Sequence, residues 1–369
     1  MSSNAKIRVG LIRCDGHGLY FGALAAPHDP LQLQMPIPRE EFRAGAAEFE
    51  KYRVEGKRPP LGWTINFWGT YYYFYSQYSD PTRINVPTVE GMEIAKLWDA
   101  NPRAARCAAK LFLDRPVVCD RYEQVSDDVD VVFIADCNFN GEDHLELATP
   151  GLKKGVPTFV DKPFARTVRD AKRILALGDR HGAPVLSLSI MRTTPAATRF
   201  AQRLPELHRV DFATVQGFGD QMNHLVHVVS LVQHIFGDAV ESVRVTPGKP
   251  LRAIHLSWGN RPDRPTQGVT LNINTGALWH GSIYVSAFGP GNATGVIHSG
   301  GFGDWEHPYG AAVILEKIKE MVKTRRAPAP RDQMLEIIAV CEAIYRAHET
   351  GREVPVREIL KESDAAPAA

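Results

Sequence analysis

From Lys6 to Ile190 short apolar runs alternate with helical stretches, and this alternation restricts the fold more than any other feature of the chain. The runs Lys6–Ile12, Met92–Trp98, Pro116–Cys119, Val131–Ala135, Pro157–Val160 and Pro184–Ile190 read as strands, and Lys6–Ile12, Val131–Ala135 and Pro157–Val160 as buried inner ones. Helical stretches at Leu19–Ala26, Pro102–Leu113, His144–Lys154 and Val168–Arg180 separate them. Strand and helix in turn predict an α/β fold built on a doubly wound parallel sheet. A stretch from about residue 27 to 88, punctuated by Pro36, Pro38, Pro59, Pro60, Pro81 and Pro87, breaks the rhythm and reads as an insertion. Beyond Ile190 the pattern changes. Val210–Gly217, Ser242–Thr246, Arg252–Trp258, Gly268–Asn274 and Gly281–Phe288 predict a large, open, mainly antiparallel sheet, followed by helices at Tyr309–Thr324 and Gln333–His348. The polar tail from Ser363 is expected to be disordered. With 369 residues, two domains are expected, 1–165 carrying the insertion and 166–369.

Charge narrows the partners. Lysine and arginine number 43 against 42 acidic residues, a formal net charge of +1, so no global field gathers nucleic acid or an anionic membrane. The five cysteines are scattered without a C-x-x-C pair, as in a reducing compartment. The start of the chain lacks the basic and apolar segments of a signal peptide, so a cytoplasmic protein is expected.

The first apolar run leads directly into Arg13-Cys14-Asp15-Gly16-His17-Gly18. A strand, a glycine turn and a helix suit an anionic ligand, because the free N–H groups and positive dipole end of the helix point at it. In a G-x-G-x-x-G frame the turn places Arg13, Asp15 and Gly18, so only the third glycine is kept. A carboxylate at Asp15 about 6 Å from a phosphate would cost roughly 3 kcal/mol, which Arg13 could offset by pairing with either group. Gly16, His17 and Gly18 complete the candidate cradle. Asp99, at the end of the second run, can bond both ribose hydroxyls and repel a 2′-phosphate, arguing for NAD over NADP; it can equally cap Asn101-Pro102-Arg103.

Asp99-Ala100-Asn101-Pro102-Arg103-Ala104, the run Val131–Ala135 followed by Asp136 and Asn138, Gly155, Asp161-Lys162-Pro163-Phe164-Ala165, and Asn223-His224-Leu225-Val226-His227 with Phe236-Gly237 occur in an order that resembles the Gfo/Idh/MocA oxidoreductases, the glucose-fructose oxidoreductase and inositol dehydrogenase group. The resemblance covers the chain outside the insertion. It implies an N-terminal Rossmann domain and a C-terminal α/β domain whose open sheet joins subunits into a homo-oligomer, dimer or tetramer. It implies NAD as cofactor, with Asn101, Arg103, Asp136, Asn138 and Lys162 added to the cofactor residues. The family's Glu-Lys-Pro lysine stands here as Lys162, beside Asp161. An ammonium donating to a substrate oxygen stabilises charge that develops as hydride leaves, and a cationic ring nearby eases loss of the lysine proton. The family's aspartate and histidine, four residues apart, stand here as Asn223 and His227, and a further family aspartate as Ser230. An imidazole suits proton transfer near neutrality, but Asn223 cannot carry the charge that would stabilise its cationic form.

His224, His227 and His234 lie on successive turns, yet no Cys or Glu at fixed spacing completes a zinc site, so no metal is expected. Nine of the 33 aromatic residues crowd into residues 63–78, among them Trp68 and Tyr72. Such faces suit a sugar ring, a satellite core or a subunit contact. Arg192 and His224 complete the candidate substrate residues, and His298, Asp304, Trp305, His307 and Tyr309 form a glycine-rich loop that could cover the same cleft. The expected activity is hydride transfer between nicotinamide and a hydroxyl or carbonyl of a sugar, sugar derivative or cyclitol. The alternatives are an NAD-dependent glycosidase acting by transient oxidation and elimination, and a noncatalytic sugar- or cofactor-binding homologue.

Overall fold

The computed structural model describes residues 5–14, 16–34, 84–135, 140–275, 283–291, 293–303 and 306–365. Most of the insertion, with Trp68 and Tyr72, lies outside the described residues, as do Asp15, Asp136, Asn138, Asp304 and Trp305.

The first half reads as strand, helix, strand: β1 (Ile7–Ile12), α1 (Gly16–Ala25), β2 (Met92–Trp98), α2 (Pro102–Leu111), β3 (Val117–Val118), β4 (Val131–Ile134), α3 (His144–Lys153), β5 (Thr158–Val160), α4 (Val168–His181) and β6 (Val185–Leu186). The strands form one parallel sheet in the order β3-β2-β1-β4-β5-β6, which turns about the β1–β4 junction. In such sheets the crevice at that junction, beyond the carboxyl ends of the strands, receives the ligand. Phe21, Phe133 and Phe159 pack beneath it with ring centroids 4.6–6.1 Å apart.

The second half contains α5 (Ile190–Thr193), α6 (Pro195–Arg203), β7 (Phe212–Phe218), α7 (Met222–Phe236), β8 (Ser242–Thr246), β9 (Leu251–Ser257), β10 (Val269–Asn274), β11 (Tyr284–Phe288), β12 (Val296–His298), α8 (His307–Thr324), α9 (Arg331–Thr350), β13 (Val354–Pro355) and α10 (Val356–Ala365). Its seven strands form one sheet, β12-β11-β7-β10-β9-β8-β13, antiparallel except for the β7–β10 pair. Residues alternate across it: Val215, Leu271 and Val285 are buried, while Phe212, Leu251 and Tyr284 on the other face are exposed.

The chain divides into two compact units, but not at one point. The first comprises residues 1–162, 174–187 and 311–328; the second takes 163–173, 188–310 and 329–369. A single division at 165 assigns three segments differently, 163–165, 174–187 and 311–328; β6 pairs with β5, Lys319 Nζ on α8 donates to Glu90 O at 3.0 Å, and Arg325 Nη2, just beyond α8, donates to Gly155 O at 2.7 Å. The expected strand Pro184–Ile190 shortens to two residues because Ser189 caps α5 instead. The tail is helical to Ala365, not disordered from Ser363, whose hydroxyl donates to Leu360 O at 2.6 Å. No helix among the described residues is long and apolar enough to cross a membrane.

Candidate functional site

In the first unit β1 ends in a turn built where the glycine frame predicts it. Arg13 has φ +73°, the left-handed conformation that glycine adopts without strain at the first position of the frame. Three contacts hold it there. Its N–H donates to Trp98 O at 2.8 Å, its guanidinium lies 5.2 Å from the Trp98 ring centre, and Nη2 donates to Asp143 Oδ2 at 2.7 Å. Gly18 is needed for close approach: a Cβ there would meet Arg13 O at 2.7 Å and Ala135 Cβ at 3.1 Å. Gly16 opens α1, and nothing lies within 4 Å of the place its Cβ would take.

Asp99 is 3% exposed and braces the turn from the end of β2. Its Oδ2 accepts the Cys14 N–H and its Oδ1 the Asn101 N–H, both at 2.8 Å. Asn101 is the true cap of α2, accepting the Arg103 N–H at 2.9 Å, with Pro102 in the first turn. Asp99 is therefore a link between two loops, not the helix cap.

His17, in the first turn of α1, ties this turn to the Asp161-Lys162 pair at the end of β5: Nδ1 lies 2.5 Å from Asp161 Oδ2. Asp161 has no exposed surface, which alone would raise its pKa. The charge and hydrogen bond of His17, with Lys162 beside it, outweigh burial and hold the carboxyl below its ordinary 3.8. Lys162 follows at 6% exposure.

In the second unit Asn223 and His227 lie on α7. Asn223 is buried, and His227 meets a residue the sequence did not announce, Ser189, whose Oγ is 2.7 Å from Nδ1. His224 packs its ring 5.5 Å from Phe218 and against Gly219, which has φ +67° and no room for a side chain. Ser230 is wholly buried with no partner at Oγ.

Arg192 is held by two amides. Its guanidinium donates to Gln233 Oε1 at 2.9 Å and Gln333 Oε1 at 3.3 Å; Gln233, six residues beyond His227, lies about 9 Å further along the helix. Gln233 donates in turn to Glu336 at 2.8 Å, and Glu336 accepts the Val240 N–H at 2.6 Å. This is a polar tie among α5, α7 and α9. His298 sits in edge strand β12 bonded to Ser286 at 2.8 Å, and His307 Nε2 lies 3.0 Å from Met191 Sδ. Among the described residues no three His, Cys, Asp or Glu side chains gather as a metal site requires.

Burial, aided by the charge of Arg192, lowers the His234 pKa from 6.5 to about 4. The unfolded chain therefore binds a proton that the folded chain refuses. Stability is expected to fall by about 2 kcal/mol as pH drops from 6.5 to 4, and His234→Leu should flatten that slope. Urea melts at both pH values measure it; equal slopes remove His234 as the cause.

Residues 73–188 match the sequence model of the Gfo/Idh/MocA group, an oxidoreductase family with an NAD-binding Rossmann fold. Over these residues the chain is similar to the Gfo/Idh/MocA oxidoreductases. The chain is 25% identical over 180 residues to an inositol 2-dehydrogenase of Acidothermus cellulolyticus, covering 44% of this chain and 51% of that one. It is 25% identical over 178 residues to a D-apiose dehydrogenase of Paraburkholderia graminis, covering 43% and 47%. The match thus spans about half the length of these curated relatives. Among solved structures, the myo-inositol dehydrogenase of Lactobacillus casei in complex with NAD(H) and myo-inositol shares the fold at TM-score 0.64 and 12% identity, over 95% of this chain and 96% of that one. An oxidoreductase of Agrobacterium radiobacter in complex with NAD+, L-tartaric acid and magnesium gives TM-score 0.65 at 12% identity, over 96% and 99%. The residues of the turn suit a dinucleotide: Gly18 permits the close packing of turn and strand, and Gly16 leaves the start of α1 open.

Proposed function

We propose that the protein is an NAD-dependent oxidoreductase acting on a hydroxyl or carbonyl of a sugar, sugar derivative or cyclitol. The observation that carries this reading is the His17–Asp161 pair, which joins the glycine turn to the residue before Lys162. Gly16, His17 and Gly18 would receive the pyrophosphate, with Arg13 and Asp99 bracing their turn. Asp136 and Asn138 are assigned to the cofactor as well. When bound, NAD supplies the hydride acceptor.

Lys162 donates to the substrate oxygen and stabilises the charge that builds there, and His227 is assigned the proton transfer. Asn223, an amide where the family has a carboxylate, favours one other reading, a homologue that binds without turning over. The homo-oligomer is assigned to the seven-stranded sheet, whose open face carries Phe212 and Tyr284, 39% and 49% exposed.

Calorimetric titration with NAD and NADP, then a carbohydrate and cyclitol panel read by NADH absorbance, tests the proposal. Net NADH supports it. NAD binding with no net NADH, but cleavage of a glycosidic substrate, selects the elimination chemistry; binding alone selects the noncatalytic homologue.

Asp99→Ala should weaken NAD binding about tenfold, since the bonds that order Cys14 and Asn101 are lost, and should narrow the preference over NADP. Titration with both dinucleotides reads both effects. An unaltered ratio leaves Asp99 as a brace only.

A further inference from the structure

The loop between β7 and α7 is residues 219–221, and each of them is tied to a different neighbour within the second unit. Gly219 N–H donates to Asn274 O at the end of β10, at 3.0 Å. Asp220 is held twice: its carbonyl accepts the Tyr345 hydroxyl at 2.9 Å, and its Oδ2 lies 3.3 Å from Arg252 Nη1. Gln221 O accepts the His224 and Leu225 N–H groups that open α7, at 3.0 and 2.9 Å. The Gln221 side chain makes no capping bond and the first turn of α7 has no acidic residue, so this helix lacks the local devices that usually fix a start. Its setting comes from outside, through Asp220.

Arg252 is costly where it stands. It shares a face of β9 with Ile254 and Leu256, which are buried, and its own side chain is 13% exposed. Its Nη2 lies 3.3 Å from His348 Nε2, and its Nε has no hydrogen-bond partner among the described residues. A guanidinium so placed gains little net stability from one ion pair with a half-buried carboxylate. What it supplies is direction, a planar fork that reaches the loop with one arm and α9 with the other. Tyr345 and His348, three residues apart, are neighbours on one face of α9. Burial holds the Tyr345 phenol above its ordinary pKa of 10, so it stays a donor. One strand and one helix thus grip the same loop residue.

We propose that Arg252 and Tyr345 are positioning residues: by clamping Asp220 they fix the axial and rotational setting of the first turns of α7, on which the action of His227 depends. A shift of about 1 Å at a reacting group can cost about a hundredfold in rate, so a clamp that adds little to stability can still set turnover. The proposal rests on the reading above that His227 transfers the proton.

The test uses the full chain and the best substrate of the panel. Tyr345→Phe removes one oxygen. Turnover should fall about fivefold or more, while the NAD dissociation constant moves less than about twofold and Tm less than about 4 °C. The paired neutral replacement, Asp220→Asn with Arg252→Met, should lower turnover about tenfold or more with a similarly small change in Tm. Each of its two single variants should lose as much as the pair, because either one opens the clamp.

Hydrogen exchange read by NMR separates a local clamp from general loosening. The His224 and Leu225 amides should exchange about tenfold faster in these variants, and the amides in the last turn of α7 at the wild-type rate. Full turnover in Tyr345→Phe and in the paired variant overturns the proposal, as does turnover that falls only in step with Tm or with exchange along the whole helix. Wild-type protein that turns over no member of the panel instead brings down the role assigned to His227, and the proposal with it.

Discussion

Lys162→Ala will lower turnover about a hundredfold or more, a rise of roughly 2.7 kcal/mol in the barrier, while the NAD dissociation constant moves less than about threefold. The asymmetry follows from where the lysine sits. It comes after Asp161 at the end of β5, whereas the groups that brace the nucleotide turn are Arg13, Asp99 and His17. Charge at the substrate oxygen is greatest in the transition state, so a donor there acts on the rate more than on binding. Lys162→Arg should not restore activity, because a planar fork cannot replace a compact ammonium at a confined oxygen. NADH formation with the best substrate of the panel, set beside calorimetry with NAD, measures both quantities. Turnover unchanged in Lys162→Ala would remove the residue from the reaction.

Asp161→Ala will cost about 3 kcal/mol of folding stability and lower Tm by about 6–12 °C. The carboxylate is wholly buried, and it holds His17 at 2.5 Å. Its removal leaves a polar imidazole facing a void. Acid should expose the same interaction. The folded pKa lies below the unfolded 3.8, so the stabilisation is fully present above that value and is lost as pH falls through the folded pKa. Wild type should therefore lose more stability between pH 5 and 3 than Asp161→Asn does. Calorimetric melts at both pH values decide it, and parallel losses would show that the pair contributes little.

The architecture was legible because periodicity records burial. The apolar runs at 9–12, Val131–Ile134 and Thr158–Val160 are buried throughout, as in a parallel sheet covered on both sides. Arg13 and Gly18 kept the first and third positions of the nucleotide frame, one through an unusual backbone angle and the other through an absent side chain. What escaped was contact between residues distant in sequence. Nothing local in the sequence announces that Asp143 will take Arg13, or that His17 will reach across 144 positions to Asp161. Ser189 was hidden differently: it looked like the polar end of a strand, when it was the N-cap that stops the strand and starts α5. Thr194-Pro195 gave the same signal for α6, a capping hydroxyl followed by proline. Arg192 follows a strand end, where a cationic residue suggests a ligand, and its acceptors Gln233 and Gln333 are amides on two later helices that no local pattern announces.

The interleaving of the two units has a consequence for biosynthesis. Ribosomes release the chain in order, yet the first unit includes residues 311–328, where Ile314, Ile318 and Met321 are fully buried. At about 5–20 residues per second, roughly ten to thirty seconds separate the emergence of Lys162 from that of Pro328. Until Val185 appears, β5 is an unpaired sheet edge, the kind that recruits strands from other molecules. The part of the protein made earliest is therefore finished late, and nascent-chain chaperones have a long interval in which to guard it.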